Sequence, residues 1–239
     1  MKKRNDGRES NQLRPVEFTL DFVDYPEGSV LIKMGKTRVL CNVSLEDRVP
    51  AWMDDPDSSR GWITAEYALL PRSTTTRVKR ETRGFSGRTQ EIKRLIGRSL
   101  RAGFDLNLLG KRTLIVDCDV IQADGGTRTA AITGGYLALV LALKPLIQAG
   151  ELPERVFLPS IAAISVGLVD GEILLDLDYQ EDARADADLN IVMNREGDFI
   201  EVQGTGEKSV FSRDELDQML DLAGTGIQQL LEFQAALIA

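Results

Sequence analysis

Histidine does not occur in this chain of 239 residues. Its absence removes imidazole acid–base chemistry, Ser-His-Asp triads and His-rich zinc sites together. Cysteine is scarce. Cys41 and Cys118 both fall in strand-like segments and read as small buried residues rather than a disulfide or a metal pair. Long apolar runs are missing: the longest, residues 136–143, ends at Lys144-Pro145 and is too short to span a bilayer. The opening MKKRNDGRES has no apolar stretch after its charges, so no secretory leader is read there and cytoplasmic residence without a membrane partner is expected. Any catalysis is left to carboxylates, arginines, lysines, a metal ion or the substrate.

What is present is ordinary in amount and unusual in placement. A hydrophobic content of 43% and a charged content of 28% suit a globular chain long enough for a proper core. The net charge is −8, which on average argues against a nucleic-acid partner. Residues 72–101, however, hold ten basic side chains against two acidic ones, so this segment is +8 and the rest of the chain is −16. Concentrated positive charge in an acidic protein reads as a footprint for a polyanion.

Periodicity predicts strands at 16–22, 29–34 and 37–44, with a Gly35-Lys36 hairpin, and another at 62–70, after an irregular charged arm at 1–15. Residues 72–88 lack apolar periodicity and read as a mobile basic loop, followed by an amphipathic helix at 89–103. Strands at 161–169 and 172–178 are joined by Asp170-Gly171, and 189–193 and 199–203 form a second hairpin. Ser212-x-x-Glu215 is a capping box opening a final helix to about 236, with a break expected at Gly224-Thr225-Gly226. The order is expected as one domain with approximate halves 1–150 and 151–239, each carrying hairpins followed by helix.

Residues 114–143 read as a buried strand, a glycine turn and a helix apolar nearly all round, with Thr127 or Thr129 as its cap. A helix N-terminus offers unpaired N–H groups and partial positive charge, and Arg128 adds a planar fork that fits phosphate oxygens. DGGTR is therefore a candidate phosphate cradle, although neither the P-loop spacing nor G-x-G-x-x-G is present and a tight turn with a solvated arginine accounts for the same residues. The glycine pair Gly134-Gly135 inside the helix points to close packing against another backbone. Arg88 follows Ser86-Gly87 at a second helix start, where an anion would sit; a plain surface arginine is the alternative. Residues 176–188, DLDYQEDARADAD, cluster carboxylates between two strands, with Asp176 and Asp178 on one strand face and Asp182 and Asp188 flanking a short turn. The glycine of an EF-hand loop is absent, whereas Mg²⁺ suits one or two carboxylates plus substrate phosphates; a solvated acidic loop is equally open.

Beyond these local readings, the strings DGRESNQLRP, EGSVLIKMGKTRVLCNVSLEDRVP, GWITAEYALLPRST, SGRTQEIKRLIGRSLRA, DCDVIQADGGTRTAAITGG, AAISVG, ILLDLDYQEDARADADLN and VQGTGE resemble the bacterial ribonuclease PH family along almost the whole chain. The resemblance implies a two-layer α/β (α+β) fold with duplicated βαβα halves, β-sheets packed on helices, and a homo-hexameric ring built as a trimer of dimers. It implies a phosphorolytic 3′-to-5′ exoribonuclease that trims transfer-RNA precursors and other RNA 3′ ends, running in reverse as a nucleotidyltransferase. By the same resemblance, Arg88, Gly126, Thr127 and Arg128 bind inorganic phosphate, the co-substrate. Asp182 and Asp188 are the catalytic carboxylates and hold Mg²⁺ (or Mn²⁺), and Arg72, Arg77, Arg80 and Arg83 contact the RNA. A non-catalytic RNA-binding ring subunit and a hydrolytic metal-dependent nuclease are the competing classes.

Overall fold

The computed structural model describes residues 4–82 and 84–238. The first half is a five-stranded sheet. Strands β1 (Val16–Leu20), β2 (Gly28–Met34) and β3 (Thr37–Glu46) form an antiparallel meander, and β5 (Thr113–Gln122) pairs antiparallel with β3. The edge strand β4 (Trp62–Leu69) runs parallel to β5, because helix α1 (Gly87–Arg101) carries the chain across between them. The order is β1-β2-β3-β5-β4. The second half is a four-stranded antiparallel sheet of order β7-β6-β8-β9, with β6 (Ile161–Val169), β7 (Glu172–Leu175), β8 (Ala187–Asn194) and β9 (Phe199–Gly206).

Between the two sheets lies α2 (Thr127–Gln148), which packs on β2 and β3 on one side and on β6 on the other. Burial on both sides is why this helix has no polar face. Its length and apolarity would let it cross a bilayer, but it is mostly buried inside the fold. β6 is enclosed the same way, by α2 and by the final helix α4 (Arg213–Ile238), so all nine of its residues are buried. The echo between the halves is audible but uneven: β4-α1-β5-α2 in the first is answered by β6-β7, a single helical turn α3 (Tyr179–Asp182), β8-β9 and α4.

The expected hairpins form, with Gly35, Asp170 and Gly171 all at positive φ. Cys41 and Cys118 sit opposite one another on β3 and β5, buried and unbridged beneath α2. Four expectations about the elements themselves need correction. The strand expected at 172–178 ends at Leu175; Asp176 takes a left-handed backbone (φ 54°) and Asp178 caps α3, so the two carboxylates do not share a strand face. The final helix opens on the Ser212/Glu215 box as expected, but it runs unbroken through Gly224-Thr225-Gly226. There Gly226 packs against Leu175, where a Cβ would lie 2.8 Å from Cδ1, and tertiary packing overrides the local propensity. The space above Gly134 is taken by side chains rather than backbone: a Cβ there would meet Ile32 Cγ2 at 2.7 Å and Cys41 Sγ at 3.1 Å. Finally, neither Thr127 nor Thr129 caps α2; the cap is Gly126, with no side-chain bond.

Candidate active site

Two helices begin at one cleft. In α1, Ser86 is the cap and accepts a hydrogen bond from the Thr89 N–H, which makes Arg88 the second helical residue. In α2, Gly125 and Gly126 both turn through positive φ (75° and 62°), which brings the chain from β5 directly into the helix. Arg128 is then also a second helical residue, inside the helix rather than in the turn where the sequence reading put it. Each arginine thus stands among the unpaired N–H groups of a first turn, where anions are stabilised. The threonines around the turn are held by other partners. Thr127 shares a 2.8 Å hydrogen bond with the Tyr67 hydroxyl, and Thr129 donates to the Gly126 carbonyl at 2.9 Å.

The acidic side of the cleft is built by α3. Asp178 accepts from the Glu181 N–H (2.9 Å), and Glu181 accepts in return from the Asp178 N–H (3.0 Å), a complete capping box that fixes this single turn. Asp182 is its last residue, and Asp188 is the second residue of β8. Arg88, residues 125–128, Asp182 and Asp188 line a common cleft of about 630 Å³, together with Tyr67, Thr74–Thr76, Glu207 and Lys208. Burial pushes the Asp182 carboxyl above its ordinary range, against the pull of Arg128 and Arg88. Burial, then the charges of Asp182 and Glu207, push Asp188 up as well, again opposed by the two arginines. Two carboxylates that repel one another beside two cations make a site that gains from a bound cation and a bound anion together. Among the described residues no group of three or more acidic or sulfur ligands gathers into a metal cage. A pair of carboxylates fits instead an ion that keeps waters and shares substrate phosphates, as Mg²⁺ does.

The basic loop forms the cleft's outer wall. Its root is tied down: the Ser73 carbonyl accepts from Ala123, and the Val78 N–H donates to the Pro71 carbonyl (2.8 and 2.9 Å). Arg72, Arg77 and Arg80 are exposed and lie outside the cleft lining; none has an ion pair among the described residues. Arg83 lies outside the described residues.

The charged arm, expected to be irregular, supplies buried structure that its composition conceals. Arg14 is 3% exposed and grips Asp176, which has no exposed surface: its main-chain N–H and Nε donate to Oδ2 (2.8 and 3.0 Å), and Nη2 donates to Oδ1 (2.6 Å). The same guanidinium donates to the Asp124 carbonyl and packs on Gly126, where a Cβ would sit 2.9 Å from Nη2. Arg4 donates to both oxygens of Glu181 (2.7 and 2.6 Å) and to the Leu175 carbonyl (2.7 Å). Burial works to raise Glu181, but the Arg4 hydrogen bonds, the Asp178 N–H and the charges of Arg4 and Arg8 outweigh it and hold this carboxyl low. The arm therefore sets the anion turn and the acidic turn against each other. At Gly125 the contact is so close that a Cβ would overlap the Leu177 carbonyl oxygen.

Residues 12–145 match the profile of the 3′ exoribonuclease family, domain 1, and residues 160–226 match domain 2 of the same family. Ribonuclease PH of Dehalococcoides mccartyi is 55% identical over 234 residues, covering 97% of this chain and 96% of that one. Ribonuclease PH of Bacillus subtilis is 54% identical over 235 residues, covering 97% and 95%. In three dimensions the chain is similar to rice Rrp46 (TM-score 0.79, 22% identity, 99% and 100% covered). It is also similar to a chain of the Archaeoglobus fulgidus exosome with RNA bound to the active site (TM-score 0.78, 23% identity, 96% and 92% covered).

Proposed function

The chain belongs to the ribonuclease PH family of 3′ exoribonucleases, and from that premise we propose how its own residues divide the work. The activity is phosphorolytic: inorganic phosphate is the co-substrate, RNA is shortened from its 3′ end in transfer-RNA processing, and the reverse reaction is nucleotidyl transfer. Arg88, Arg128 and the N–H groups of residues 126–128 hold and aim the phosphate. One phosphate oxygen forms a bond to the last phosphodiester phosphorus, and the bond from that phosphorus to the 3′-oxygen of the preceding residue breaks. A nucleoside diphosphate and an RNA with a free 3′-hydroxyl result. One phosphoester bond replaces another, so nucleoside diphosphates extend RNA ends when phosphate is scarce.

Asp182 and Asp188 would hold Mg²⁺ (or Mn²⁺), which supplies positive charge for the phosphoryl oxygens and the departing 3′-oxygen. The observation that carries this assignment is the opening of two arginine-bearing helix starts onto the cleft that also holds those two aspartates. Arg72, Arg77 and Arg80 hold the body of transfer-RNA precursors outside the cleft, and Arg83 of the same basic run adds to that contact. The chain works as a single domain of two halves, about 1–150 and 151–239, in a cytoplasmic homo-hexamer built as a trimer of dimers.

Chromatography of the released nucleotide tests the residue assignment. With phosphate present, the parent chain yields diphosphates, whereas Arg88→Ala and Arg128→Ala yield none while still retaining RNA on a filter. Equal loss of RNA binding in both variants would remove these arginines from the phosphate site, and release of monophosphates without phosphate would favour a hydrolytic nuclease.

A further inference from the structure

We propose that Gln203, backed by Glu91, is a positioning residue that aims the Arg128 guanidinium into the anion end of the cleft. The inference rests on the assignment of Arg128 to phosphate made above. Arg128 stands on α2, Gln203 on β9 and Glu91 on α1, one turn beyond Arg88. Arg128 Nη1 donates to Gln203 Oε1 at 2.9 Å, and Gln203 Nε2 donates to Glu91 Oε1 at 2.8 Å.

The direction of this chain of bonds is forced by chemistry. A guanidinium only donates and a carboxylate only accepts, so the amide must turn its oxygen to Arg128 and its nitrogen to Glu91. Glu91 thereby fixes the amide, and the amide fixes the arginine. Glu91 Oε1 lies 3.7 Å from Arg128 Nη1, close enough to attract it but beyond a hydrogen bond. A neutral acceptor occupies one guanidinium N–H and leaves the others for an anion. A carboxylate at position 203 would instead compete with phosphate for the same fork.

A simpler role for Gln203 is to dock β9 against α1. That task already has an occupant on the same strand: Glu201 pairs with Arg98 of α1 at 2.6 Å. Glu201 and Gln203 project from the same face of β9, but Gln203 alone of these two bonds to a side chain lining the cleft. The relay joins the starts of α1 and α2 through a strand of the other half, so phosphate affinity becomes sensitive to how the halves are docked.

The experiment is a steady-state determination of KM for inorganic phosphate in RNA phosphorolysis, with RNA affinity and Tm measured alongside. Gln203→Met preserves the bulk and removes both hydrogen bonds. It is expected to raise the phosphate KM about tenfold, the scale of one lost hydrogen bond to a charged group. kcat is expected to stay within about twofold and RNA affinity and Tm to stay at their parental values. Gln203→Glu, nearly isosteric, is expected to raise KM further, and Glu201→Gln to leave it unchanged. An unchanged KM in Gln203→Met overturns the proposal, as does an equal rise in Glu201→Gln, which would assign the effect to strand docking. If Gln203→Met fails to fold, Gln203→Glu decides the question by the same readout. Arg128→Ala separates the two levels. If it leaves the phosphate KM unmoved, the phosphate assignment itself falls; if it abolishes phosphate saturation while the Gln203 variants behave as the parent, only the relay falls.

Discussion

Removing the guanidinium of Arg14 would leave the Asp176 carboxylate buried without its closest cation, since Arg8 approaches it only to 3.8 Å. Loss of one partner from a buried pair costs about 3–5 kcal/mol, so Arg14→Ala is expected to lower unfolding stability by about 3 kcal/mol in urea titrations. The aspartates of the cleft behave oppositely. In Asp188, burial and then the neighbouring Asp182 and Glu207 raise the carboxyl above its ordinary 3.8. A carboxyl raised on folding binds its proton more tightly in the native state. Its ionised form therefore costs stability above the raised value, and the cost disappears as pH falls through it. In metal-free buffer, Asp188→Asn is accordingly expected to raise Tm at pH 7 by roughly 2 °C while destroying activity. The gain should hold from pH 7 down to the raised carboxyl value and fade only as pH falls through it toward the ordinary 3.8, and calorimetry across that window checks the sign. Arg88, Arg128, Asp182 and Asp188 could be picked out as candidates because each sits beside a local marker (a glycine turn, a serine cap or an acidic run), but local spacing left a solvated role open for each, and only the fold brings the four to one cleft. Arg14 and Gln203 could not be picked out, because their partners lie 162 and 75 residues away. A buried arginine in a charged arm looks like a solvated one until the fold supplies Asp176.

At the scale of elements, the glycines of the helices divide by what surrounds them. Gly224 has only Met193 near its open side, at 3.9 Å, whereas Gly134 faces Ile32 and Gly226 faces Leu175 at close range. Gly224→Ala should therefore stabilise α4 by about 0.5–1 kcal/mol, read as an upward shift in urea midpoint, and Gly134→Ala should destabilise the fold. The break that a Gly-Thr-Gly string suggests never forms, because Ala223, Ile227, Leu230 and Leu231 bury one continuous stripe on the second sheet. Strand periods and the apolar α2 were readable since burial on one face or two leaves a compositional trace. The single turn α3 was not, because its cap is Asp178 and its brace is Arg4, neither of which is an apolar signal.

For the molecule as a whole, the exposed arginines of the loop and the acidic remainder make an uneven electrostatic body. Replacing Arg77 and Arg80 by Gln should weaken RNA binding at every sequence alike. The slope of log K against log salt should flatten by roughly 1.4–1.8 for two phosphate contacts, the upper figure for duplex RNA, measured by filter binding from low to physiological salt. An unchanged slope would remove the loop from the RNA path. The charge asymmetry was visible in the sequence from the count alone, whereas the loop's service as a wall of the cleft depends on Ser73 and Val78 being tied back to neighbouring backbone.

The bare backbone touch between Gly125 and Leu177 has an evolutionary corollary. No side chain of any kind can be inserted at that seam, so neither half can drift without the other following. Grafting the glycine turn from one relative onto the aspartate loop of another would succeed only where both parents keep this junction empty, which makes a single missing methyl the tolerance gauge for chimeras of the whole enzyme.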